Sequence, residues 1–328
     1  MFLRSQKNTI KTFCVIQSMT QKKVAVLYTG QVRTIEKCAH YFRKNILDPT
    51  GADVFAVIQG PILCETMNYL VANVWKDNLK TFDWFYRDTQ YSDLQDELLS
   101  RMDIEPHWKH YLKTSGSMVE YYQLYLAFQK MKEYEQQGGF QYTHVIRMRT
   151  DIVITRPIAF FSVNFLRDTF EDANDTIVSC VFSLERCQTR TDTDDFHVLA
   201  NNAALKEFMD CPRNRTVERK RLLMDCLNSN CCLFTIRKNL FYFGSRNVFE
   251  VISQLGTTYG HRRWHLRENW FDAESQLETI CLENGIGIVD STTALEEKSL
   301  YHYTECDYFD ANGQLLDNSA VFCFICRF

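Results

Sequence analysis

The sequence predicts an α/β fold: a mostly parallel central sheet flanked by helices, with an elaborated, mixed C-terminal lobe. Three observations lead there. Residues 24–28, 52–60 and 143–148 are short, nearly continuous apolar runs, the pattern of strands buried on both faces. Between the first two runs, Ile35, Cys38, Ala39, Phe42 and Ile46 recur at helical steps of three and four. Strand, helix and strand in that order make a βαβ unit, which implies parallel strands and a right-handed crossover.

Thr29-Gly30 breaks the first run, and Asp48-Pro49 is expected to end the first helix. TFDWFY (81–86) reads as a third strand and residues 93–102 as a short helix. Ser115 or Ser117 is placed to cap a long helix, MVEYYQLYLAFQKMKEYEQQ, which Gly138-Gly139 ends. Its stripe of Met118, Tyr121, Tyr125 and Phe128 reads as core packing. Further on, TIVSCVF (176–182) reads as a strand, DDFHVLANNAALKEFMDC as a strand end running into a helix, 249–255 and 273–283 as helices, and GIGIV as a late strand. No internal repeat or linker interrupts the chain. The expected organisation is a flexible extension at 1–22, a ligand-binding α/β half at 23–155, and a second half of the same domain at 156–328.

Composition narrows the function classes. The chain has 328 residues, 45% apolar and 14% aromatic, enough for a large core. Net charge is −4, from 37 basic and 41 acidic residues, which gives no global electrostatic reason to expect nucleic-acid binding. Thirteen cysteines, odd in number and without a CxxC pair, read as buried free thiols of a reducing compartment. No apolar run approaches the ~20 residues of a membrane helix, and the start lacks a signal-peptide h-region. A soluble, cytoplasmic protein is the expectation. The basic stretch PRNRTVERKR reads as a solvated helix face, with peripheral membrane contact as its alternative.

Three motifs sit where strands end, the edge at which open parallel sheets bind ligands. TGQVR follows the first strand: Gly30 permits a tight turn, the helix beyond offers free N–H groups to an anion, and Arg33 adds a phosphate fork. QG, at Gly60, closes the second. RMRTD closes the run at 143–148, with Arg147 and Arg149 on one face of the chain and Asp151 at the sheet edge. Asp151 suits a hard divalent ion; the plainer alternative is a structural Arg–Asp ion pair. Downstream, TDTDDFHVLA offers Asp192, Asp194 and Asp195, and NWFDAESQLETI offers Asp272 and Glu274 at a helix start, where dipole effects alone favour acids. GHRRWHLRENW gathers Arg262, Arg263 and Arg267 around Trp264, either to close over a diphosphate or as an exposed basic loop.

Taken together, VLYTGQVRTIEKC, ILDPTGADVFAVIQG, the Tyr-rich helix and YTHVIRMRTDIVI resemble nucleotide-sugar glycosyltransferases of the GT-A fold, a Rossmann-type α/β architecture. The resemblance is to polysaccharide-type enzymes of bacteria and large DNA viruses, and it covers residues 23–154 best. In those enzymes an Arg-x-Arg-x-Asp stands where others carry Asp-x-Asp; here Arg149 occupies the first aspartate's place. The resemblance implies transfer of a sugar from a UDP- or GDP-sugar to an oligosaccharide or glycoprotein acceptor. Thr29, Gly30, Gln31, Arg33, Gly60 and Arg263 would border the nucleotide, and Arg147 and Arg149 would contact the donor or brace the site. Asp151 would hold Mn²⁺ or Mg²⁺. The acceptor-side carboxylate would be Asp194, Asp195 or Glu274. A non-catalytic nucleotide- or glycan-binding protein and a sugar nucleotidyltransferase are the competing readings.

Overall fold

The apolar runs become the centre of a seven-stranded sheet in the computed structural model, which describes residues 23–60, 64–154, 157–158, 232–236, 239–261, 271–290 and 323–325. Its order is β3 (Leu79–Phe85), β2 (Asp53–Gln59), β1 (Val24–Gln31), β4 (His144–Arg149), β7 (Phe241–Ser245), β6 (Cys232–Ile236) and β8 (Gly287–Asp290). β3, β2, β1 and β4 are mutually parallel and β6 is parallel to β8; β7 alone runs against its neighbours. Strands from both halves of the chain thus share one sheet. β5 (Ile152–Ile154) leaves that sheet just past Asp151 and pairs antiparallel with β9 (Cys323–Ile325).

Burial on both faces explains the apolar runs. Leu27, Phe55, Val57 and Val145 face the long helix α2 (Ser117–Gly138), against its Tyr121, Leu124, Phe128 and Met131. Tyr28 points the other way and stacks on Phe42 of α1 (Ile35–Phe42), with ring centroids 4.4 Å apart. Each such side chain contributes roughly 1.5–3 kcal/mol when removed from water, so both faces are firmly covered. The stripe on α2 is core packing, as its spacing implies.

Local signals place most boundaries within a few residues, with instructive exceptions. The first helix does not end at Asp48-Pro49: a π turn at Arg43–Leu47 leads into a last α turn at Asp48–Thr50. Pro49 falls at the start of that closing turn, where a missing N–H costs least, and Gly51 supplies the left-handed stop at φ +61°. Neither Ser115 nor Ser117 caps α2: Gly116 holds the cap position and Ser115 Oγ accepts from Ser117 N at 3.4 Å. The helix expected at 249–255 is α3 (Arg246–Ile252), because Ser245 ends β7 and caps the helix directly, its Oγ accepting from Val248 N. The strand at 176–182, the segment DDFHVLANNAALKEFMDC, PRNRTVERKR and the extension at 1–22 lie outside the described residues. No described helix is long and apolar enough to cross a membrane.

The topology fixes where a ligand can sit. From β1 the chain moves outward to β2 and β3, then returns to place β4 on the other side of β1. The strand order reverses between β1 and β4, and such a switch point opens a crevice at their carboxyl ends. Thr29 pairs with Arg149 across the two strands, so TGQVR and RMRTD finish side by side. Thr150 Oγ1 donates to Gln31 O at 2.6 Å and Thr150 N to Thr29 O at 3.2 Å. This close crossing needs Gly30, whose φ is +143° and where a Cβ would lie 2.6 Å from Thr150 Oγ1. Gly30→Ala should therefore cost roughly 1–3 kcal/mol through backbone strain and overpacking. A urea-unfolding midpoint equal to that of the native protein would contradict this account.

Candidate active site at the carboxyl edge of the sheet

A cleft of about 480 Å³ opens at that switch point, lined from five directions. β1 and its turn give Gly30, Gln31 and Arg33; β2 gives Gln59; β4 and its turn give Arg147, Arg149 and Asp151. The start of α2 gives Ser117, Glu120 and Gln123, and Asn239 and Glu274 close the far side. Tyr111, 40% exposed, stands at the rim. Glu274 belongs to α4 (Ala273–Glu283).

Arg147 anchors the floor. It is 1% exposed, and a buried guanidinium must find partners or forfeit its hydration. Nε donates to Thr29 Oγ1 at 3.3 Å, Nη1 donates to the carbonyl of Asn239, and Nη2 lies 2.9 Å from Glu120 Oε1. The Glu120 contact is an ion pair out of line for a hydrogen bond, so that buried oxygen lacks a hydrogen-bond partner. The Tyr242 ring lies 5.1 Å from the guanidinium carbon.

The second cluster is a chain of amides and guanidiniums. Gln31 Nε2 donates to Gln59 Oε1 at 3.3 Å, and Arg33 Nε donates to Gln31 Oε1 at 2.9 Å. Arg33 Nη1 then donates to Asp151 Oδ2 at 3.1 Å. Arg149 grips the same carboxylate with two bonds, Nε to Oδ1 at 2.8 Å and Nη2 to Oδ2 at 2.6 Å. Burial, the largest single influence, would lower the Arg149 proton affinity; the charge and hydrogen bonds of Asp151, with contributions from Glu120 and Tyr242, together outweigh it, and the guanidinium sits above its ordinary range.

Glu274 faces the opposite end. Burial, chiefly, and the nearby Asp272 and Glu120 charges raise its carboxyl to about 7, against a backbone hydrogen bond that lowers it. Its placement is built. Tyr121 Oη donates to Ala273 O and Tyr259 Oη to Phe271 O, both at 2.8 Å, pinning the backbone on either side of Asp272. Burial pushes both phenols well above their usual range, so they remain neutral donors. Asp272 Oδ1 accepts from Ser275 N at 2.7 Å and so caps α4. The two acids at this helix start therefore divide the work: Asp272 caps, and Glu274 turns into the cleft. Asn239 joins the ends, accepting from Arg147 through its carbonyl and donating through Nδ2 to Glu274 Oε1 at 2.7 Å.

Of the residues the sequence singled out, Gly30, Gln31, Arg33, Arg147, Arg149, Asp151 and Glu274 meet in one cleft. Thr29 is fully buried and serves Arg147 rather than lining the space. Gly60 turns at φ +96° next to Gln59, which is the residue that reaches the cleft. Asp192, Asp194, Asp195 and Arg263 lie outside the described residues. Glu120, Gln123 and Asn239 were missed. The first two had a faint signal, polar residues three apart interrupting the buried side of a Tyr-rich helix; Gln123 Nε2 donates to Gly30 O at 3.1 Å. Asn239 had none, because its partners are 92 and 35 residues away.

The metal implied by the resemblance meets an obstacle. Both oxygens of Asp151 already accept from guanidiniums, and an approaching cation would face two positive charges. Among the described residues, no three His, Cys, Asp or Glu side chains are placed to hold an ion. The described residues do not fit a metal centre. No family model matches the sequence, and no curated protein matches it either.

Because the folded protein holds the Glu274 proton more tightly than the unfolded chain, stability should fall as pH rises from the usual carboxylate range to about 7, then level off. Glu274→Gln removes that penalty. The variant should gain on the native protein across this window, reaching on the order of 2 kcal/mol above pH 7. Denaturant titrations at pH 5 and pH 8 would show a constant difference if Glu274 titrated normally.

Proposed function

We propose that the protein is a glycosyltransferase of GT-A-like architecture that moves a sugar from a nucleotide-diphosphate donor to a glycan hydroxyl. The observation that carries this is the joint placement, in one cleft, of an arginine pair at the strand ends and a carboxylate raised to about 7 on the facing helix.

The chemistry asks for two opposite things. Breaking the bond between the anomeric carbon and the phosphate oxygen leaves negative charge on the diphosphate, which fixed cations stabilise. The attacking hydroxyl must lose its proton to a base with pKa near the working pH. Arg33 and Arg149 supply the first, with Gln31 and Gln59 as neutral hydrogen-bond partners. Glu274, ionised, accepts the acceptor's proton as its oxygen bonds to the anomeric carbon, and the nucleoside diphosphate leaves with the bonding electron pair. Arg147 stays buried and braces the floor between the two ends.

Incubating the protein with UDP- and GDP-sugars and a panel of glycan acceptors, with and without Mn²⁺, should release nucleoside diphosphate in step with a lengthened glycan. Glu274→Gln should lower kcat by roughly 10²–10⁴-fold with donor Kd nearly unchanged. In the native protein kcat/KM should climb with pH and reach a plateau above about 7. Donor binding without turnover would support a non-catalytic role, and pyrophosphate release from a nucleoside triphosphate would support a nucleotidyltransferase.

A further inference from the structure

We infer that the site holds its diphosphate without a divalent cation, through a carboxylate-for-phosphate exchange on Arg33. The inference rests on the nucleotide-sugar reading of the cleft.

The two arginines on Asp151 are not equivalent. Arg149 binds it through two parallel bonds, and its side chain is only 15% exposed. Paired forks of this kind are strong and fixed in direction. Arg33 reaches the same carboxylate through one nitrogen at 3.1 Å, and its side chain is 42% exposed. A single-contact pair that is open to water is weak and easily exchanged. Asp151 therefore acts as a placeholder for Arg33 and a strut for Arg149. One carboxylate against two guanidiniums leaves a positive charge over at this end of the cleft.

A diphosphate entering beside Gly30 would find that surplus. It presents the same planar pairs of oxygens as a carboxylate and carries more charge, so it outcompetes Asp151 for Arg33. Arg149 stays on Asp151 and contributes its field without moving. A cation would work against this arrangement, since its natural ligand, Asp151, is already paired with both arginines. The arginine in the first position of the Asp-x-Asp site thus replaces the ion's charge as well as an acid.

Calorimetric titration of the intact protein with UDP and with GDP, in EDTA and in excess Mn²⁺, tests this. At least one nucleotide should bind in EDTA, with affinity within about threefold of that in Mn²⁺. Arg33→Ala, at an exposed position, should weaken binding about tenfold or more in both buffers, and Arg33→Lys should restore only part. Asp151→Asn, checked for folding by its thermal melt, should bind at least as tightly as the native protein. Binding that appears only with Mn²⁺, an unaffected Arg33→Ala, or a folded Asp151→Asn that no longer binds would each overturn the exchange while leaving a metal-assisted transferase standing. No binding of either nucleotide in either buffer would overturn both.

Discussion

The buried guanidinium of Arg147 is the constraint on which the site depends. It sits at the end of a core strand with 1% of its surface exposed, where an unpaired charge would be severely destabilising. Its partners come from β1 (Thr29), from the turn before β7 (Asn239) and from the first turn of α2 (Glu120). Satisfying one side chain thus draws together three segments far apart in the chain. A leucine there would fill the space as well, but it would not orient the Asn239 carbonyl or hold Glu120 against the cleft. This is the physical reason for an arginine inside an otherwise apolar strand.

From that anchor the polarity of the cleft follows. Asn239, fixed through its carbonyl, donates its amide to Glu274, and so transmits the position of Arg147 to the far wall. Tyr121 is pinned in the core of α2 and holds the α4 backbone one residue before Glu274. A carboxylate meant to titrate near neutrality needs burial without a strong cationic partner. Glu274 meets both conditions: it accepts from a neutral amide and shares a side-chain hydrogen bond with Asp272, and its charged neighbours are the acids Asp272 and Glu120. Asp151 meets the opposite conditions, sheathed in guanidiniums.

The sheet was legible in the sequence because doubly buried parallel strands carry a local signature, and β1, β2 and β4 each announce themselves within about seven residues. The strand-end rule then located the cleft before any side chain was placed. Reading failed where a residue's role is set by distant partners. Thr29 looked like a ligand contact because it precedes Gly30, but strand alternation turns it inward to Arg147. Asn239 is silent in sequence, since a lone asparagine in a turn is ordinary. Pro49 misled because its effect depends on the hydrogen-bond register before it, which a π turn had already shifted. Asp272 and Glu274 could not be separated by sequence, as both satisfy the helix dipole and only packing decides which one turns away.

The same separation of charge bears on how binding and chemistry could be linked. Glu274 holds its proton chiefly because it is buried, and the nearby acids oppose ionisation further. A diphosphate bound at the arginine end would bring further negative charge into the same cleft of about 480 Å³. On the proposed reading that charge would raise the proton affinity of Glu274 further, so a higher pH would be needed to ionise it for the acceptor's proton when the donor is in place. Arg147 lies between the two ends, paired to Glu120. On the proposed reading, a cleft built on arginines and one glutamate without a cationic partner would tie the proton affinity of that glutamate to the arrival of the donor, which a tightly held cation would damp.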